Sequence, residues 1–114
     1  MSNTATSEQM AICKRFGSVV TPSPPNLKVG IALSTLNRLP ITAVRHRVEN
    51  DTCGWYIWGG DYSPEPDFYQ PLHLAHVPDY CPLIVPYLAL APGWGVMLAP
   101  GFEDIWFDEA LLHK

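Results

Sequence analysis

A chain of 114 residues that is 47% hydrophobic and only 16% charged suits one domain with a real core; two ordinary domains and a disordered tail are both excluded. The net charge of −4 is unevenly spread. Residues 1–47 hold six bases and one acid, while residues 48–113 hold ten acids and no Lys or Arg. Such a block projects a negative field, which disfavours nucleic acid and attracts a basic protein, although plain solubility explains a charge of this size equally well.

In chain order, Thr6-Ser7-Glu8-Gln9 has the form of a capping box, so a helix is predicted over 7–16, with residues 1–6 flexible. Met10, Cys13 and Phe16 form one stripe of that helix and Gly17 ends it. Thr21 to Asn26 holds three prolines and reads as a stiff connector. Leu27 to Leu33 is apolar enough for a strand, with Ala32 to Leu36 able to turn helical. Ile41 to Val48 is β-branched and is predicted as a strand, followed by a turn at 49–52. Gly54 to Gly59 is the clearest strand, and the two together suggest an antiparallel hairpin. In it Trp55 and Ile57 should face inward, leaving Tyr56 and Trp58 on a second surface.

Asp61 to Pro71 reads as a loop with three prolines and three acids. A short helix is expected over 82–88, where Pro82 can open it. Turns at 91–93 and 100–101 bracket a strand at 94–99, and a last strand runs over 104–108 before a short tail at 110–113. The sum is an α+β domain, a mostly antiparallel sheet of four or five strands with short helices on one side. The sheet is expected to contain Arg45 to Val48, Trp55 to Trp58, Trp94 to Ala99 and Ile105 to Phe107.

No basic-then-apolar leader is visible, and the most apolar stretch, 83–98, is cut by Pro86, Pro92, Gly93 and Gly95, which points to a cytoplasmic protein without a membrane span. Cys13, Cys53 and Cys81 are too few and too far apart for a disulfide framework and read as reduced, partly buried thiols.

Chemistry finds little footing. His73 and His76 are spaced to share a helical face, with Cys81 or Asp79 as a further zinc ligand, but no Cys-x-x-Cys or His-Glu-x-x-His accompanies them. A small metal-dependent or acid–base enzyme using these histidines and nearby carboxylates is therefore the alternative to a binding protein, and an accessory interaction domain is a third reading. No cofactor motif is present. The acids form two groups: Asp61, Glu65 and Asp67 in one loop, and Glu103, Asp104, Asp108 and Glu109 around the last strand. Solvated loops account for them, and so does a surface for a basic partner. Trp58, Tyr62 and Tyr69 lie beside the first group and could anchor such an interface, or serve the core. The candidate partner-binding set is thus Asp61, Glu65, Asp67, Glu103, Asp104, Glu109, Trp58, Tyr62 and Tyr69.

An ordered set of segments carries a resemblance. It comprises Cys13 to Gly17, Leu27 to Leu33, Arg45-His46, Gly54 to Gly60, Pro66 to His73, Tyr80 to Pro82, Pro86 to Leu88, Ala91 to Trp94 and Phe102 to Glu109. Together they resemble the bacterial immunity protein 33-like family, over roughly residues 10 to 112. The resemblance implies an antitoxin of a polymorphic toxin system, acting in the cytoplasm on the toxin domain of a cognate effector, with no catalytic motif to carry over. One departure is Gly95, where the family often has a larger residue. A nuclease is the preferred target class, because nucleases are commonly basic. Oligomeric state is left open.

Overall fold

The computed structural model describes residues 5–113; the expected flexibility of the first residues falls, for 1–4, outside them. Helix α1 spans Ser7–Phe16 with the full capping box, Thr6 Oγ1 accepting from the Gln9 backbone N–H and the Gln9 side chain accepting from Thr6 N–H. Gly17 closes it at φ 86. The buried stripe is shifted from the expected one. Met10 is 45% exposed, whereas Ile12 and Cys13 pack into the core.

The sheet has six strands: β1 (Lys28–Ile31), β2 (Ile41–Arg45), β3 (Thr52–Gly59), β4 (Gln70–His73), β5 (Trp94–Ala99) and β6 (Phe102–Phe107). Their order is β4-β1-β3-β2-β5-β6. Four of the five pairings are antiparallel, and β1 runs parallel to β3. The sheet is therefore mixed and larger than the four or five strands expected. Strand β4 is the addition, and its first two residues, Gln70 and Pro71, fall in the expected loop over 61–71. It survives as a strand because it lies at the sheet edge, where a missing N–H costs no ladder bond. The expected strand over 41–48 stops at Arg45. Residues 46–48 leave the ladder for the turn that Thr52 N–H closes onto Glu49 C=O, with Asn50 at φ 54.

The hairpin of β2 and β3 forms as expected, pairing Arg45 with Trp55, Ala43 with Ile57 and Ile41 with Gly59. A bulge interrupts the β1–β3 register, two residues of β1 facing four of β3. Gly54 sits in it at φ 95, and a Cβ there would collide with the His46 carbonyl. The last strand begins at Phe102, two residues earlier than expected, because Pro100-Gly101 closes a tight hairpin with β5.

Short helices cover one face of the sheet. They are α1, α2 (Val77–Tyr80) and 3-10 turns at Leu74–His76 and Pro82–Tyr87. The expected helix at 82–88 is thus 3-10 in form, consistent with Pro86 inside it having no N–H to give. Residues 109–113, expected as a tail, form one more 3-10 turn. Beneath the helices lies one core: Val29 and Ile31 of β1, Ile41 and Ala43 of β2, Trp55 and Ile57 of β3, and Val96 and Leu98 of β5 meet Cys13, Val77, Cys81, Ile84 and Leu90. Trp55 is 1% exposed and its indole N–H donates to Leu88 C=O at 3.0 Å.

Arg45 is fully buried in this core without a carboxylate beside it. Nε donates to Cys53 C=O, one terminal nitrogen donates to both Thr21 and Leu90 C=O, and the other to Ser23 Oγ. The guanidinium thereby ties the proline-rich connector to the sheet, and burial lowers its pKa. All three cysteines are free and buried, and burial raises each thiol. Among the described residues no helix is long and apolar enough to cross a membrane.

Candidate partner-binding face

Alternation along each strand sends the other half of the side chains to the opposite face, which α1, α2 and the turns at 74–76 and 82–87 leave open and which the 3-10 turn at 109–113 borders through Leu111. There Thr42 pairs with Trp58 and Val44 with Tyr56 across β2 and β3. Gly30 of β1 stands opposite Tyr56, and a Cβ on it would strike the Tyr56 ring at 2.6 Å. Gly30 thus lets that ring lie flat against the neighbouring strand. Gly95 does the same for the Trp106 ring of β6, which accounts locally for the small residue at this position.

The loop 61–69 folds back over this face. Phe68 N–H donates to Glu65 C=O, and the Gln70 side chain donates to Asp67 C=O while accepting from Leu33 N–H. These bonds fix the loop against the 3-10 turn at Leu33–Thr35 and set its aromatic residues on β3. Ring centroids lie 5.6 Å apart for Trp58 and Tyr62, 6.3 Å for Trp58 and Tyr69, 5.1 Å for Tyr56 and Tyr69, and 5.0 Å for Phe68 and Tyr69, all edge to face. His46 continues the cluster, 5.3 Å from Tyr56, and its Nδ1 lies 3.0 Å from Leu111 C=O. A concavity of about 490 Å³ opens between Val44, His46, Tyr56, Trp58, Tyr62 and Tyr69, with Arg47, Glu49 and Leu111 on its walls. Burial, then the neighbouring tyrosines, push the Tyr69 phenol well above its ordinary pKa, so it stays a neutral hydrogen-bonding group.

The candidate residues fall in different places. Trp58, Tyr62 and Tyr69 come together in the cluster. Asp61, Glu65 and Asp67 are exposed in the loop that carries it, and none of the three makes an ion pair among the described residues. The second acidic group is divided by strand alternation. Asp104 faces the open side, whereas Glu103 points to the helices, where it pairs with Arg15 and accepts from the Tyr87 hydroxyl. Glu109 lies in the last 3-10 turn, 3.7 Å from His113. The expected partner-binding set omits Tyr56, His46 and Phe68, although Tyr56 was expected on the same surface as Trp58. Tyr56 shares the parity of Trp58 and was readable; the approach of His46 depends on where β2 ends.

His73 and His76 do not share a helical face. His73 ends β4 and His76 ends the following 3-10 turn, with ring centroids 6.3 Å apart. Asp79 approaches His76 at 3.9 Å, Cys81 is buried in the core, and among the described residues no three His, Cys, Asp or Glu side chains converge as metal ligands would.

Fold and site together define a small α+β domain with one sheet face sealed by short helices and the other lined by aromatic rings. The chain belongs to the Imm33-like domain family, which matches it over residues 8–108. No curated protein and no solved structure matches it.

Proposed function

We propose that this protein is an immunity protein that binds the toxin domain of a cognate effector through its open aromatic face and neutralises it in the cytoplasm of the producing cell. The observation that carries the reading is the aromatic concavity, built in part by a loop whose three carboxylates make no ion pair among the described residues, in a chain of the Imm33-like family. Aromatic anchors inside a charged rim are the arrangement that gives interfaces both affinity and speed. An antitoxin must capture its target before the target acts, and electrostatic steering raises association towards about 10⁸–10⁹ per molar per second. The rim acids suit a basic target, and a nuclease, which must hold phosphate, is the class we infer. The protein's part is occlusion and needs no catalytic group of its own.

The test is co-expression with a candidate toxin domain, sought first among the products of the neighbouring genes, followed by a toxicity assay and by binding of the purified pair. Protection of the cell and a stable complex are expected. Failure to bind and to protect, with the folded protein in excess, would contradict the reading.

A further inference from the structure

Tyr56, Trp58, Tyr62 and Tyr69 border one concavity, and their contacts meet at steep angles: 68° for Trp58 with Tyr62, 68° for Trp58 with Tyr69 and 63° for Tyr56 with Tyr69. Rings set edge to face turn their π faces in several directions and not all against one another. Each π face is the negative pole of the ring quadrupole and attracts a cation placed over it. The chain's own cations do not use these faces. Among the described residues the cation–π contacts are Arg15 over Phe16 and Arg45 over Trp55, both away from this site. The surrounding charge has the same sign. Glu49 and Arg47 both line the concavity, and the loop that brings Tyr62 and Tyr69 to it carries three exposed carboxylates, Asp61, Glu65 and Asp67, and no base.

We infer that the concavity is a receptor for one cationic side chain of the partner, an arginine in preference to a lysine. Resting on the toxin-binding reading above, this makes the toxin's contacting element a projecting arginine. A volume of about 490 Å³ accommodates the side chain and part of the backbone that presents it. Arginine is favoured because its guanidinium is planar, stacks on aromatic faces and is more weakly hydrated than an ammonium group. The tyrosine hydroxyls and Glu49 offer acceptors for its N–H groups. An aliphatic anchor would fill the same space but gain nothing from Glu49 or from the acidic loop.

The experiment titrates the intact protein, labelled with ¹⁵N, with three small probes: N-acetyl-arginine amide, N-acetyl-lysine amide and N-acetyl-citrulline amide, the last a neutral isostere of the first. The readout is the Trp58 indole N–H and the backbone amides of Tyr56 and Tyr69. Saturable shifts with the arginine probe are expected, with the lysine probe weaker and the citrulline probe roughly tenfold weaker. Tyr62→Ala, at a ring that is 60% exposed and so dispensable for folding, should weaken the arginine probe severalfold while leaving the rest of the spectrum in place. Citrulline binding as well as arginine, or no response to any probe, overturns the inference. If toxin binding survives that result, the immunity reading stands without it. If the arginine probe binds and the toxin does not, the cation site stands and the toxin is not its source.

Discussion

Arg45 and Trp55 are 0% and 1% exposed on the covered side of β2 and β3, while Val44, Tyr56 and Trp58 of the same two strands stay half-exposed on the other side. Both faces hold large side chains, so size does not separate them. Satisfaction does. Every polar group of Arg45 and Trp55 is bonded inside the fold, which makes that face a structural clamp. The open face has apolar area, and the acids of its loop, Asp61, Glu65 and Asp67, make no ion pair among the described residues. A face finished internally holds the molecule together, and a face left half-finished is available for a partner.

The comparison breaks most visibly at Arg45. Arg45→Met would strand two buried carbonyls, of Cys53 and Leu90, and the part-buried one of Thr21, so a loss of about 2 kcal/mol or more is expected in urea unfolding. Arg45→Lys keeps the charge but not the fork of donors, and should recover only part of it. On the open face the order of effects reverses. Trp58→Ala should cost about 2 kcal/mol or more of toxin affinity, measured by calorimetry, and clearly less than Arg45→Met in stability. Equal stability losses at both positions would erase the distinction between the faces.

Charge sharpens the comparison further. Neutralising Asp61, Glu65 and Asp67 should slow toxin association about tenfold at low salt, while each contributes under about 1 kcal/mol to stability. Glu103→Gln should do the opposite, lowering stability through its Arg15 and Tyr87 contacts and leaving the association rate alone. A smaller effect belongs to Tyr87, whose hydroxyl is pushed up to about 12 by burial and then by Glu103. The folded value exceeds the unfolded value of about 10, so the stabilisation is whole below about pH 10 and fades as pH rises through 12. Tyr87→Phe should flatten stability across that window in alkaline unfolding curves.

What the sequence makes legible here is what depends on neighbours along the chain. The capping box of α1, the stop at Gly17, the hairpin of β2 and β3 and the inward choice of Trp55 and Ile57 all follow from local pattern. The parallel pairing of β1 with β3 does not, because it joins segments more than 20 residues apart and has no turn to announce it. Edge strand β4 was not legible either, because the meaning of Pro71 depends on sheet position. The aromatic half of the site was legible from the nearness of Trp58, Tyr62 and Tyr69 to one acidic loop. The acids of the last strand were grouped by nearness in sequence, and only the true start of β6 shows that Glu103 and Asp104 face opposite ways. The burial of Arg45 was not legible, because it is followed by His46 and Arg47 and depends on the connector at Thr21 and Ser23 being in place.

Hydrogen–deuterium exchange of the protein alone and bound to its toxin domain tests whether the open face, and not the helical one, receives the toxin. Protection is expected in residues 44–49 and 56–69, with α1 and the 82–87 turn unchanged. Protection centred on α1 and that turn, with 56–69 exchanging as in the free protein, would contradict it.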